Sequence, residues 1–179
     1  MTVYLSGGCK NGKSSLAEKT AKALCRDSRL YYLATMLPQD DEDAERIRRH
    51  VISREGMGFE TVEIGRDLSR FANRLDPCGT YLLDSVTALL SNEMFPPSLP
   101  PNLNAPAQVA ADLTVLCKTV KNIVFVSDFI FSDAEGYGSL TEEYRRGLAQ
   151  IDRTLAAVCE TVAEVCSGCV TVYKGALPL

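Results

Sequence analysis

Several things are scarce in this chain of 179 residues. It has one histidine, no tryptophan, no apolar run long enough to span a membrane and no internal repeat. The short apolar runs exclude a transmembrane helix, and the lack of repeats excludes a solenoid or propeller. An excess of positive charge is also missing: 19 Lys and Arg stand against 23 Asp and Glu, for a net charge of −4. That balance argues against a protein that grips nucleic acid by neutralising phosphates. With 46% apolar and 23% charged residues, neither a disordered nor a fibrous chain is indicated.

The seven cysteines are an odd number scattered through apolar surroundings, which suits reduced thiols rather than a disulfide framework. Cys166-Ser-Gly-Cys169 has redox-motif spacing, but one isolated pair makes a poor zinc site. The expectation there is a turn beside a strand. The length fits one domain, 1–179, whose core needs no disulfide or metal. Met1 leads straight into an apolar run, so no signal or transit peptide is expected and a cytoplasmic setting follows.

What is present begins at residue 6. Ser6-Gly7-Gly8-Cys9-Lys10-Asn11-Gly12-Lys13-Ser14 follows the apolar run Val3-Tyr4-Leu5 and contains Gly-x-x-x-x-Gly-Lys-Ser without mismatch. Between a strand and a helix, such a loop lets successive backbone N–H groups surround a nucleotide phosphate at the positive helix end. Lys13 is expected to reach the β and γ phosphates, and the Ser14 hydroxyl to ligate the Mg2+ ion bridging them. Cys9 is the one thiol expected near ligand.

The rest of the chain alternates between strand and helix patterns. Ser14 to about Arg26 reads as a helix with Leu16, Thr20, Ala23 and Leu24 on one face, and Leu30 to Ala34 as a strand. The segment from Asp40 to Arg54 has its acids first and its bases last, as a helix dipole prefers. Helical spacing puts Arg46, His50 and Arg54 on one face. Two guanidiniums thus bracket the single imidazole; they would lower its pKa, while the helix C-terminus acts oppositely. A short strand is expected over Phe59 to Ile64 and a helix over Asp67 to Leu75. Thr80 to Asp84 reads as an apolar strand ending in a carboxylate, the position at which a phosphate-loop protein holds magnesium. Ile123 to Asp128 has the same form, so Asp84 is the first choice for the metal and Asp128 the competitor.

A helix over Val86 to Met94 leads into Phe95 to Pro106, which carries five of the eight prolines and reads as a surface loop at about 95–106. A helix from about Ala107 to Thr119 precedes the Ile123 strand. Ser139-Leu-Thr-Glu142 has capping-box form. It opens a periodic segment, Leu140, Tyr144, Leu148, Ile151, Leu155, Val158, Val162 and Val165, that predicts a helix of about 26 residues. Val170 to Tyr173 reads as a final strand. The expected fold is α/β: a P-loop NTPase-like, RecA-type three-layer domain with a mostly parallel central sheet, its ligands gathered at the carboxyl ends of the strands.

Taken together, these residues resemble the bifunctional adenosylcobinamide kinase / adenosylcobinamide-phosphate guanylyltransferase family of cobalamin biosynthesis. The resemblance is carried by the Gly-Gly-x-x-x-Gly-Lys-Ser loop, by Tyr32-x-Ala34-Thr35, and most specifically by Arg46-Ile47-x-x-His50 with Arg54 beyond. Thr61-Val62-Glu63, Leu82-Leu83-Asp84-Ser85, Ser91-Asn92 and Tyr144-Arg145-x-x-Leu148 add to it. It implies a kinase that phosphorylates adenosylcobinamide from ATP or GTP. It further implies a guanylyltransferase in which His50 attacks the α-phosphorus of GTP and the GMP passes to adenosylcobinamide phosphate.

By this resemblance the catalytic residues are His50, Lys13, Arg46 and Arg54. The nucleotide lies among Gly7, Gly8, Cys9, Lys10, Asn11, Gly12, Lys13, Ser14, Ala34, Thr35, Met36, Val51, Ile52, Ser53, Arg54, Glu63 and Asp84, with Ser14 and Asp84 on Mg2+. A homotrimer is implied as well. The sequence departs from the family pattern after the Ile123 strand, where Asp128-Phe129-Ile130-Phe131 and Ser132 to Gly138 replace the usual Asn-Glu-Val-Gly and Gly-Ile-Val-Pro. Glu55 also follows Arg54 where proline is common, and Phe59 stands where tryptophan is common. Two other readings use the same loop: a nucleotide-binding regulatory protein without turnover, and a kinase of another small molecule that needs Lys13 and Asp84 but not His50.

Overall fold

A computed structural model describes residues 1–26, 28–38, 40–72 and 74–178 of the chain. Its centre is one seven-stranded sheet built from β1 (Thr2–Gly7), β2 (Leu30–Ala34), β3 (Phe59–Glu63), β4 (Thr80–Asp84), β5 (Asn122–Asp128), β6 (Thr161–Cys166) and β7 (Cys169–Lys174). The strand order is β3-β2-β4-β5-β1-β6-β7. Every pairing is parallel except the last, β6 with β7. Parallel strands need crossover helices, which cover both faces of the sheet. That is why β1, β2, β4 and β5 read as nearly unbroken apolar runs.

The helices are α1 (Lys13–Leu24), α2 (Asp41–Ser53), α3 (Leu68–Ala72), α4 (Val86–Met94), α5 (Ala105–Thr119) and α6 (Ser139–Val158). Strand alternation divides the core in two. Val3, Leu5, Leu30, Tyr32, Leu82, Val124 and Val126 pack with Ala17 and Ala21 of α1. Tyr4, Tyr31, Leu33, Tyr81, Leu83, Ile123 and Phe125 point the other way, into the helices α3 to α6. The strand order, the helices on both faces and the phosphate loop between β1 and α1 make this the expected P-loop NTPase-like, RecA-type fold.

Several details differ from expectation, among them the start of α6, where Gly138 rather than Ser139 is the N-cap and no side chain caps the helix. Helix α6 ends at Val158, and Cys159 is already extended at φ −71 and ψ 144. The stretch read as its last turns is strand β6, beside β1. Val158, Val162 and Val165 happen to fall at helical steps, whereas the residues that β6 buries are Thr161, Ala163 and Val165, with period two. Helix α1 buries Ala17, Thr20 and Ala21 rather than Ala23, which is exposed. Helix α5 starts two residues early, at Ala105, because Pro106 sits in its first turn, where a missing N–H is harmless. Cys166 and Cys169 flank the Ser167-Gly168 turn between β6 and β7, as the spacing suggested.

One partly buried acid in this framework has a measurable consequence. Asp152 of α6 is pushed up from 3.8 to about 6, chiefly by burial, with Ser127 and Tyr4 pulling it down and Asp128 pushing it further up. Folding therefore favours its protonated form. That contribution is fully present below about pH 4 and is lost as the pH rises through about 6. Asp152→Asn should raise stability at pH 8 by roughly 2 kcal/mol while gaining little at pH 4. Urea unfolding at the two pH values tests this; an equal gain at both would contradict it.

Candidate active site

The phosphate loop takes its shape from glycine at two places. Gly7 closes β1 against β6 so tightly that a Cβ there would run into the Val165 carbonyl. Gly12 caps α1 with φ 89, the left-handed conformation that glycine adopts without strain. The loop returns directly into Lys13, the first residue of α1. Lys13 is buried; its Nζ donates to the Gly8 carbonyl at 2.7 Å and pairs with Asp128 Oδ1 at 2.9 Å. Asp128 reaches it because Gly7 and Asp128 stand side by side at the carboxyl ends of β1 and β5. Its backbone N–H is held by the Thr87 hydroxyl at 2.8 Å.

The second wall comes from β2 and β4. Ala34 and Asp84 are register partners at the ends of these strands, and Tyr32 donates its hydroxyl to Asp84 Oδ2 at 2.9 Å. Thr35 turns away from the cavity: its hydroxyl donates to the Ser85 carbonyl at 2.7 Å and accepts from the Ser85 N–H at 2.7 Å. Asn92, fully enclosed, donates to the carbonyls of Thr35 at 2.7 Å and Gly65 at 2.9 Å. Thr35 and Asn92 thus brace the loops that follow β2 and β3 rather than facing a ligand.

Helix α2 forms the lid-like third side. Asp40 caps it by accepting the Asp43 N–H at 2.8 Å, and Asp41, Glu42 and Asp43 fill its first turn, both stabilising at a helix N-terminus. It buries no residue of its own; its inner face lines the cavity instead. At its far end Arg54 is only 6% exposed. Its guanidinium lies over the Tyr32 ring, 3.4 Å from the centroid. The Arg54 Nε and Nη1 groups have no hydrogen-bond partner among the described residues.

These three walls enclose a cavity of about 830 Å³. Residues from Cys9 to Ser14, Ala34, Met36, Arg46, His50, Val51, Ser53, Arg54, Glu63, Asp84 and Asp128 all line it, so the structure brings most of the expected positions to one place. Gly7, Gly8, Thr35 and Ile52 do not line it; Ile52 is 58% exposed. The imidazole of His50 is half-buried, and its pKa is lowered. Burial is the main cause, Asp84 opposes it, and Arg46, Arg54 and Arg49 add to it. The opposing effects left open by the sequence therefore resolve toward the neutral imidazole.

Several residues lining the cavity, Tyr32, Ile47 and Arg49 among them, had no site role in the sequence, and Glu18, outside the lining, acts on it electrostatically. Tyr32 shares the Ala34 face of β2 through period-two alternation, which is the signal that would have found it. Glu18, one turn after Ser14 on α1, is buried; burial raises its pKa, the Arg54 charge lowers it and Asp84 raises it. The late Tyr144-Arg145 motif serves as a clasp: Arg145 binds Asp133 and Glu142, each at 2.9 Å, and Tyr144 donates to the Thr87 carbonyl at 3.0 Å. It holds the loop after Asp128 against α6.

The site is suited to a polyphosphate. A glycine-rich loop at a helix N-terminus and a buried lysine face one end of the cavity, while Arg46, Arg54 and a neutral imidazole line the other. Ser14, Asp84 and Asp128 present oxygen donors on the same cavity, the chemistry a hard divalent cation takes.

Comparison with known proteins agrees. A family model described as cobinamide kinase / cobinamide phosphate guanyltransferase matches residues 3–172. The bifunctional adenosylcobalamin biosynthesis protein CobU of Escherichia coli (strain K12) is 35% identical over 99 residues, covering 53% of this chain and 51% of that protein. Its namesake from Salmonella typhimurium (strain LT2) is 34% identical over 97 residues, with the same coverage. The chain thus spans about half the length of the curated relatives it matches. Among solved structures, flagellar accessory protein FlaH from Methanocaldococcus jannaschii superposes with a TM-score of 0.52 at 13% identity, covering 97% of this chain and 78% of that one. At that identity the likeness concerns the fold alone.

Proposed function

The chain belongs to the cobinamide kinase / cobinamide phosphate guanyltransferase family, and on that premise we propose that it is an adenosylcobinamide kinase and adenosylcobinamide-phosphate guanylyltransferase working through a guanylyl-histidine. The observation that carries this reading is the placement of His50, between Arg46 and Arg54, on the same cavity as Lys13 and the phosphate loop. A phosphate loop alone supports phosphoryl transfer. A half-buried neutral imidazole facing it adds a nucleophile.

In the guanylyl step the lone pair of a His50 ring nitrogen attacks the α-phosphorus of GTP. The N–P bond forms as the bond from that phosphorus to the α,β-bridging oxygen breaks, and pyrophosphate leaves with the electron pair. A phosphate oxygen of adenosylcobinamide phosphate then attacks the same phosphorus, the P–N bond breaks and His50 regains its lone pair. Arg46 and Arg54 stabilise charge growing on the α-phosphate oxygens, and Lys13 holds the β and γ phosphates. In the kinase step, with ATP or GTP as donor, the same lysine and loop hold the tail from which the γ-phosphoryl group leaves. Ser14 and Asp84 are the residues that would hold Mg2+, with Asp128 alongside; bound there, the ion neutralises phosphate charge. A homotrimer is the assembly the family resemblance implies.

The lowered pKa of His50 gives a pH prediction. Only the neutral imidazole attacks, so self-guanylylation should hold its plateau below the ordinary histidine value near 6.5 and fall only at lower pH. Initial labelling rates between pH 5 and 8 test it, and a midpoint above 6.5 would contradict it. For the function itself, the test is transfer: protein incubated with α-labelled GTP and freed of nucleotide should pass its label to added adenosylcobinamide phosphate. Tight GTP binding with no transfer would favour a binding protein without turnover.

A further inference from the structure

We propose that Tyr32 is the positioning residue of this site: its ring carries Arg54 and its hydroxyl holds Asp84, so one side chain of the sheet sets both the cation and the carboxylate facing the ligand. The inference rests on the reading of the cavity as a nucleotide site and adds to it a residue that acts through Arg54 and Asp84.

Arg54 poses the problem that Tyr32 solves. A guanidinium only 6% exposed, with Nε and Nη1 lacking partners among the described residues, would ordinarily be expelled toward water or drawn onto a carboxylate. Two carboxyl groups act on it or its surroundings: Glu18 is coupled electrostatically to both Arg54 and Asp84. A direct bond to either would engage the donors that phosphate needs. The guanidinium lies instead on the π-face of Tyr32, 3.4 Å from the ring centroid, an attraction that is strongest when the pair is desolvated. A ring face holds the cation without using any N–H, so no donor is committed to a protein acceptor, although Nε and Nη1 are themselves enclosed.

The ring is itself fixed. Tyr32 is 4% exposed within β2, and Phe59 of β3 meets it edge-on, at 5.9 Å and 89°. Its hydroxyl donates to Asp84 Oδ2 at 2.9 Å. One Asp84 oxygen is thereby fixed, and the carboxylate keeps a defined direction toward the cavity. Leucine at this position would fill space while supplying neither contact; phenylalanine would keep the ring and lose only the hydroxyl.

This separation makes the proposal testable by double-mutant cycles, with GTP as the probe in titration calorimetry. Tyr32→Leu should weaken GTP binding about tenfold in the otherwise native chain. In an Arg54→Ala background it should weaken binding less than about twofold, because the contact it removes is already gone. Tyr32→Phe should leave the GTP Kd within about twofold yet slow self-guanylylation at saturating GTP about tenfold, an effect absent in an Asp84→Asn background. A purely structural Tyr32 predicts equal losses in every background, and that result overturns the proposal. So does a Tyr32→Leu chain with native circular dichroism and undiminished GTP affinity. Should Tyr32→Leu fail to fold, the conservative Tyr32→Phe cycle decides. A chain that binds GTP but never labels itself would refute the histidine mechanism, while the binding cycle would still judge Tyr32.

Discussion

Lys13→Ala should lower nucleotide-dependent turnover by about 100- to 1,000-fold, the scale expected when one preorganised charged donor is removed from a phosphate site. Lys13 is the only cation paired with Asp128 among the described residues, at 2.9 Å, and its ammonium also takes the Gly8 carbonyl at 2.7 Å. Its removal has two effects of the same sign. The β and γ phosphates lose their point charge, and Asp128 is left as an unpaired negative charge where those phosphates would lie. Both the kinase and the guanylyl reactions should fall, since both use the phosphate tail. The fold should survive, because Asp128 is partly solvated once released. Steady-state assays with calorimetry of GTP binding check this; a Lys13→Ala protein with native turnover would remove the loop from the mechanism.

His50→Ala should be selective. Guanylyl transfer should drop by at least about 1,000-fold, as nucleophile deletions do, whereas GTP binding and phosphorylation of adenosylcobinamide should stay within a few-fold of native. The selectivity follows from placement. His50 stands on α2, which buries no residue of the core, so its truncation leaves packing intact. The phosphate loop and Lys13 belong to β1 and α1, across the cavity. Equal loss of both activities would mean that His50 serves a shared structural purpose. Loss of neither would favour a kinase of another small molecule that uses Lys13 and Asp84 alone.

Most of this site was legible in the sequence because its parts are local. The phosphate loop is a contiguous motif, and Asp84 and Asp128 end apolar strands whose parallel packing forces them to one edge. The helical spacing of Arg46, His50 and Arg54 places them on one face without reference to the rest of the chain. What escaped depends on contacts between elements. Tyr32 stood in the sequence only as part of the Tyr32-x-Ala34-Thr35 motif, and only the return of α2 over β2 sets Arg54 on its ring. Glu18 drew no reading of its own in the sequence; its burial and the influence of Arg54 and Asp84 on it come from the fold.

The misread end of α6 has a different cause. Val158, Val162 and Val165 satisfy a helical period by coincidence, and the competing strand is decided by pairing with β1, 158 residues earlier in the chain. Thr35, read as a nucleotide contact, does not line the cavity, and its hydroxyl is bonded to Ser85. A hydroxyl at a strand end gives no local sign of which way it turns.

The account depends most on a covalent bond at His50. Purified protein incubated with GTP labelled at the α-phosphate, then digested and mapped by mass spectrometry, should carry one GMP on the peptide containing His50. The adduct should be labile to acid and stable to base, as a phosphoramidate is, and absent from His50→Ala. GMP on any other residue, or turnover by active enzyme with no adduct at all, would contradict it.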